Sequence, residues 1–110
     1  MRPLTHPAIE DVTVTGLLHA LSDPIRVQIF KEIMGSDSPR MCSEFLNTLG
    51  RTIPKATLSQ HFKVLREAGL IRSERIGVKV QSTARHEELE PRFGQMIASI
   101  LAAYSAEFDT

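Results

Sequence analysis

Apolar residues recur at three- and four-residue spacing along most of this chain, and the breaks in that pattern are as informative as the runs. From Val12 to Leu21, the side chains of Val14, Leu17, Leu18 and Leu21 fall on one face of a first predicted helix. Ser22-Asp23-Pro24 interrupts it and starts another: an aspartate ahead of a helix accepts from its free amide groups, and a proline at the first helical position lacks the donor that would be orphaned there. Ile25, Ile29, Phe30 and Ile33 form the stripe of this second helix, which Gly35 ends. After a loop from Ser36 to Pro39, Arg40-Met41-Cys42 reads as a short strand, and Phe45, Leu46 and Leu49 predict a third helix closed by Gly50. Between Pro54 and Ala68, Leu58, Phe62 and Leu65 make a narrow seam on an otherwise polar fourth helix. Gly69 suits the left-handed conformation that stops a helix, and Leu70 is placed to touch Leu65.

Leu70 to Arg75 and Val78 to Thr83 are short runs with β-branched residues, joined at Ile76-Gly77, which predicts a hairpin. Phe93, Met96, Ile97, Ile100, Leu101, Tyr104 and Phe108 then repeat at helical spacing from Pro91 to Phe108, which predicts a C-terminal dimerisation helix within 87–110. Met1 to Pro7 holds two prolines and no periodicity and reads as a loose arm, with residues 1–8 outside the folded body. The expected fold is mainly α with a small β-hairpin, a single domain over residues 1–110. Two consecutive helices followed by a hairpin match a winged helix-turn-helix, whose second helix enters the major groove while the hairpin lies against the backbone.

Composition narrows the function classes. A chain of 110 residues holds one core, and its apolar runs are far shorter than the roughly 20 residues a bilayer span needs. No basic-then-apolar signal pattern opens the chain, so a cytoplasmic protein with no membrane partner is expected. The single cysteine, Cys42, forms no internal disulfide and falls short of a structural zinc site. No Ser/His/Asp spacing, paired acid cluster or phosphate-cradling glycine loop supports an enzyme, and no cofactor is expected.

The formal net charge of zero hides an asymmetry. Between Arg51 and Arg85 stand eight basic residues against two acidic ones, a net of +6, which leaves five basic against eleven acidic elsewhere, a net of −6. A basic middle on an acidic body suits a DNA-reading element, and it also suits a surface for an acidic protein.

LLHALSDPIRVQIFKEI, then TLSQHFKVLREAGLI and a hairpin, resembles the ArsR family of bacterial winged helix-turn-helix repressors over roughly Leu17 to Thr83, most specifically from Ser59 to Ile71. The resemblance implies a homodimer that binds operator DNA and leaves it on a signal. It also implies that the fourth helix is the recognition helix and that the terminal helices make the dimer interface. It stops at the family's metal sites. Where many members carry two cysteines one residue apart, this chain reads RMCSEFL with Cys42 alone, and the last helix, taken from Pro91, holds no histidine. Neither ligand set carries over, so no metal is expected.

Within that frame, Gln60 is placed to bond adenine bidentately, and Thr57 and Ser59 to bond bases or phosphates. His61, beside the apolar seam, is a candidate for base contact or a half-buried histidine bonded to backbone or phosphate. Lys55 and Lys63 add charge at both ends of the exposed face, while Arg72, Arg75 and Lys79 supply it on the hairpin. The expected dimer seam is Leu17 with Phe93, Met96, Ile97, Ile100, Leu101 and Tyr104, a stripe larger than one small domain covers from inside. His6, His19 and His86 are scattered and read as surface or capping residues. Two other readings use the same residues: a winged-helix module that meets an acidic protein, and a thiol-based redox sensor relying on Cys42.

Overall fold

The computed structural model describes residues 4–108. Residues 1–3 of the expected arm and the Phe108 side chain lie outside the described residues. A 3-10 turn at Ile9–Asp11 leads into α1 (Val14–Ala20), which Thr13 caps by accepting from the Gly16 amide at 3.0 Å. α2 (Pro24–Met34) starts as the sequence predicts: Asp23 Oδ1 accepts from the Ile25 amide at 2.8 Å, with Pro24 in the first position. Arg26 then binds the end of α1 to α2 by donating to the carbonyls of Ala20 (2.7 Å) and His19 (3.0 Å), which are among those an α-helix leaves unpaired at its C-terminus.

The predicted third helix is replaced. A short strand β1 (Arg40–Met41) runs into a single 3-10 turn, Cys42–Phe45, followed by a miniature hairpin of β2 (Asn47–Thr48) and β3 (Arg51–Thr52). The reason lies in the two residues between those strands. Leu49 and Gly50 both have positive φ, 53° and 72°, the twist a two-residue hairpin needs, so Gly50 turns a hairpin and does not stop a helix. Phe45 remains fully buried and meets Phe62 with ring centroids 5.6 Å apart, so the 3-10 turn still docks on the following helix.

That helix is α3 (Lys55–Ala68), with Leu58, Phe62 and Leu65 buried as the seam predicts. It ends at Gly69, φ 92°, where the Leu70 amide donates to Leu65 at 3.0 Å and the Gly69 amide to Arg66 at 3.1 Å. β4 (Ile71–Ile76) and β5 (Lys79–Ala84) form the wing, paired antiparallel from Ile71↔Ala84 to Ile76↔Lys79. β1 adds to β5 as a third strand in the order β1-β5-β4. α4 (His86–Phe108) begins one residue before the expected range 87–110 and five before the apolar stripe that opens near Pro91, a proline it accommodates inside its first turns. The last helix therefore does carry a histidine, His86, at its first position.

Two further expectations change. Leu4 to Pro7 do not form a loose arm: His6 Nε2 accepts from the Ser73 amide and the Pro7 carbonyl from Arg85 Nη1, both at 2.9 Å. Four of the side chains assigned to a dimer seam are already covered within one chain. Leu17 is fully buried, and Phe93, Ile97 and Leu101 are 4%, 5% and 8% exposed. They follow Leu89 at four-residue intervals along the inner face of α4 and have almost no apolar area left to bury. Met96, Ile100 and Tyr104 are half-buried against the same core, with the Tyr104 hydroxyl donating to the Leu21 carbonyl at 3.1 Å.

Candidate nucleic-acid interface

Burial of Leu58, Phe62 and Leu65 rotates the rest of α3 outward, leaving Lys55, Thr57, Ser59, Gln60 and Lys63 exposed. The helix start carries no side-chain cap and no acidic residue in its first turn. A carboxylate there is stabilising because free amide groups and the aligned peptide dipoles favour negative charge. Here the position is held by Lys55, and the free amides are available to an anion from outside.

The wing stands beside this face. Ile71 and Ser73 point inward and are buried, so Arg75, two positions on in the same strand, faces α3 together with its cross-strand partner Val80. Two grooves of about 300 and 310 Å³ flank the helix. The first runs past Lys55, Ser59 and Lys79, and the second past Gln60, Lys63, Arg66 and Arg75, with Cys42, Ser59 and Val80 shared between them. At the wing tip Ile76 is exposed and Val78 wholly so, at 100%, so neither clasps the turn.

Of the residues singled out in the sequence, Lys55, Ser59, Gln60, Lys63, Arg75 and Lys79 are thus brought to one surface. Thr57 is exposed on the flank of α3. Arg72 points to the opposite face of the sheet, with Nη2 at 3.5 Å from Glu88 Oε2 on α4. Arg85, which contributed to the basic count, is buried and binds Glu88 through Nε (2.9 Å) and Nη2 (3.2 Å). These hydrogen bonds, Arg85 first, hold the Glu88 carboxyl below the usual carboxylate range. The +6 segment therefore spends two of its cations on Glu88, away from this surface.

His61 is turned toward α2, where its Nδ1 lies 3.3 Å from Arg26 Nη1. A guanidinium only donates, so Nδ1 accepts and the ring proton sits on Nε2. Burial lowers the pKa of this imidazole, as does Arg26, while Asp23 works in the opposite direction. His61 joins α3 to Arg26, which in turn holds the end of α1, and it is half-buried and not on the exposed polar face. Cys42 is half-buried, and burial pushes its thiol pKa up, away from the thiolate that metal binding and redox chemistry use. Among the described residues no group of three or more His, Cys, Asp or Glu is placed to hold a metal within one chain.

Sequence reasoning passed over one residue of this surface. Ser59, Lys63 and Arg66 stand at i, i+4 and i+7 and share a helix face. That spacing was the available signal, and it places Arg66 in the groove under the wing.

An uncapped helix on a 3-10 turn, flanked by a three-stranded sheet with a protruding hairpin, defines a winged helix-turn-helix. Comparison with known proteins agrees. A helix-turn-helix domain family matches residues 21–74. The HTH-type transcriptional repressor SmtB of Mycobacterium tuberculosis, from strains CDC 1551 / Oshkosh and H37Rv, is 36% identical over 64 residues, 58% of this chain. The match spans 44% of the length of those curated relatives. Among solved structures, reduced HlyU from Vibrio cholerae N16961 superposes with a TM-score of 0.59 at 25% identity, over 82% of this chain and 86% of its own. NolR from Sinorhizobium fredii gives 0.59 at 22%, over 98% and 97%, and an ArsR-like transcriptional regulator from Rhodococcus sp. RHA1 gives 0.55 at 24%, over 86% and 81%. The chain carries a helix-turn-helix domain and is similar to winged helix-turn-helix regulators of the ArsR type. No described helix is long and apolar enough to cross a membrane.

Proposed function

We propose that this protein is a homodimeric repressor that binds operator DNA and is released by a signal. The observation that carries the DNA reading is the start of α3: free amides, Lys55 in place of a carboxylate, and a small polar face of Ser59, Gln60 and Lys63 beside a cationic wing. Gln60 reads a base edge, whereas Lys79 and Arg75 meet sugar-phosphate backbone. Arg72 and His61 act within the protein. An acidic protein partner is less well matched, because the exposed face of α3 offers no aromatic anchor. The thiol-sensor reading is disfavoured by the raised pKa of Cys42.

The homodimer reading moves to a different face of the terminal helices. With Leu17, Phe93, Ile97 and Leu101 covered, the exposed apolar groups include Val14 and Leu18 on α1 and the small residues Ala98, Ala102 and Ala106 on α4. The latter follow Gly94 at four-residue intervals and let a second helix approach closely.

A duplex selected by the protein from a random pool, titrated at several salt concentrations beside random duplex, tests the reading. Gln60→Ala lowers the selected-to-random ratio, since a bidentate base contact is worth about 1–3 kcal/mol of discrimination. Lys79→Ala weakens both duplexes alike and makes the salt dependence shallower. The assignment fails if Gln60→Ala leaves the ratio intact while Lys79→Ala collapses it.

A further inference from the structure

Resting on the DNA reading, we propose that Arg66, with Arg75 across the groove and Lys63 one turn before it, clamps one backbone phosphate of the bound duplex. Arg66 Nε is buried and has no hydrogen-bond partner, alone in this among the buried side-chain nitrogen and oxygen atoms of the described residues. A guanidinium has five donors in a fixed fork, and leaving a buried one unmet is unfavourable unless a ligand completes it. The surroundings make this sharper. Arg75 is close enough to repel Arg66, and the ion pairs of the described residues include neither of them nor Lys63. Glu67, next in the chain, attracts Arg66 without pairing with it. Arg85 shows the alternative in the same molecule: a buried arginine here normally receives a carboxylate and a carbonyl.

Three cations therefore converge on the groove of about 310 Å³ between α3 and the wing, on the side away from Lys55 and Lys79. An anion with two oxygens in one plane meets an arginine fork through parallel hydrogen bonds, and a phosphodiester has that geometry. The groove opens along the edge of the Gln60 face, so a phosphate seated there would fix the register in which Gln60 meets the base edges. The half-buried Leu4 also lines the groove. This assigns Arg66 a contact of its own and makes Arg75 its partner on the same phosphate, not an independent one.

The test combines protein variants with DNA in which one phosphate at a time is replaced by an uncharged methylphosphonate, using the selected duplex. With the unaltered protein, one replacement per half-site weakens binding at the clamp. In Arg66→Gln that replacement has no further effect, and the slope of log K against log salt becomes shallower by about 0.9 for each protomer. The melting temperature of Arg66→Gln does not fall, because a repelled and unpaired cation has been removed. Arg75→Gln, a change at an exposed position, is silent at the same replacement and not additive with Arg66→Gln. Failure of the unaltered protein to bind any duplex overturns the DNA reading and the clamp with it. Duplex binding with an unchanged slope and unchanged methylphosphonate profile in Arg66→Gln and Arg75→Gln overturns the clamp alone. Inorganic phosphate that raises the melting temperature of the unaltered protein but not of Arg66→Gln, with no methylphosphonate position silenced, overturns it in favour of a small-oxyanion site.

Discussion

Replacing Gly69 by alanine perturbs the hinge between α3 and the wing at a single methyl group. The backbone there has φ 92°, and an added Cβ would stand 2.6 Å from Val12 Cγ2 and 3.5 Å from Pro7 Cγ. Left-handed backbone costs an L-residue roughly 1–2 kcal/mol. Val12 is buried and β-branched, so its methyl cannot rotate away freely, and overpacking of this kind costs about 1–3 kcal/mol. Alanine returns about 0.4–1 kcal/mol by restricting the unfolded chain. The net loss is about 2–4 kcal/mol, and at about 4–8 °C per kcal/mol for a domain near this size the melting temperature falls by about 8–30 °C. Thermal unfolding by circular dichroism measures it. A double-mutant cycle with Val12→Ala separates the two causes: removing the obstructing methyl recovers the overpacking share, a coupling of about 1 kcal/mol or more, and leaves the backbone share. A loss below about 0.5 kcal/mol, or no coupling to Val12→Ala, refutes the reasoning.

The two faces of α4 differ in the same testable way. Ala98→Glu splits the homodimer while leaving the helix content intact, whereas Ile97→Glu, one residue earlier and buried in its own chain, unfolds the protein; light scattering and circular dichroism distinguish them, and a surviving Ala98→Glu dimer sinks the proposed face. His6 supplies a pH dependence. Its Nε2 must be unprotonated to accept from the Ser73 amide, and burial first, then Arg72, Arg66 and Arg85, lowers its pKa. A lowered value means that the unfolded chain binds the proton more readily. The contribution to stability is full above about pH 6.5 and is lost as pH falls through the lowered folded-state value. His6→Gln therefore narrows the gap in melting temperature between about pH 7.5 and about pH 5, leaving the share that belongs to His61. An unchanged gap means that the ring does not hold the arm.

What the sequence made legible follows the physics of each signal. Asp23-Pro24 and Gly69-Leu70 are local motifs in which hydrogen bonds and backbone angles are set by neighbouring residues, and both are realised as predicted. Gly50 carries the same residue type but a different meaning, because Leu49 before it also adopts positive φ, a conformation leucine rarely takes and no pattern announces. Helical periodicity identifies the apolar side of α4 correctly and is silent on what covers it. The answer, α2 and the rest of the core, depends on tertiary packing. Charge counting has the same blindness. It gave Arg66, Arg72 and Arg85 equal weight, although one faces a groove without a pairing carboxylate and the other two share Glu88.

The unread parts concentrate behind the wing, and there they explain how the site is held. His6 bonds the edge of β4, Pro7 packs toward Gly69, and Arg85 ties the Pro7 carbonyl to Glu88 in the first turn of α4. Arg72 reaches the same carboxylate from the wing. The angle between α3 and the wing therefore rests on groups from the arm, the sheet and the terminal helix together, while the grooves that face outward remain lined by cations. Glycine at position 69 permits the close approach on which the arrangement depends. Among the described hydrogen bonds, those of His6 to Ser73 and of the Pro7 carbonyl to Arg85 are the ones that tie the arm to the wing and to the start of α4.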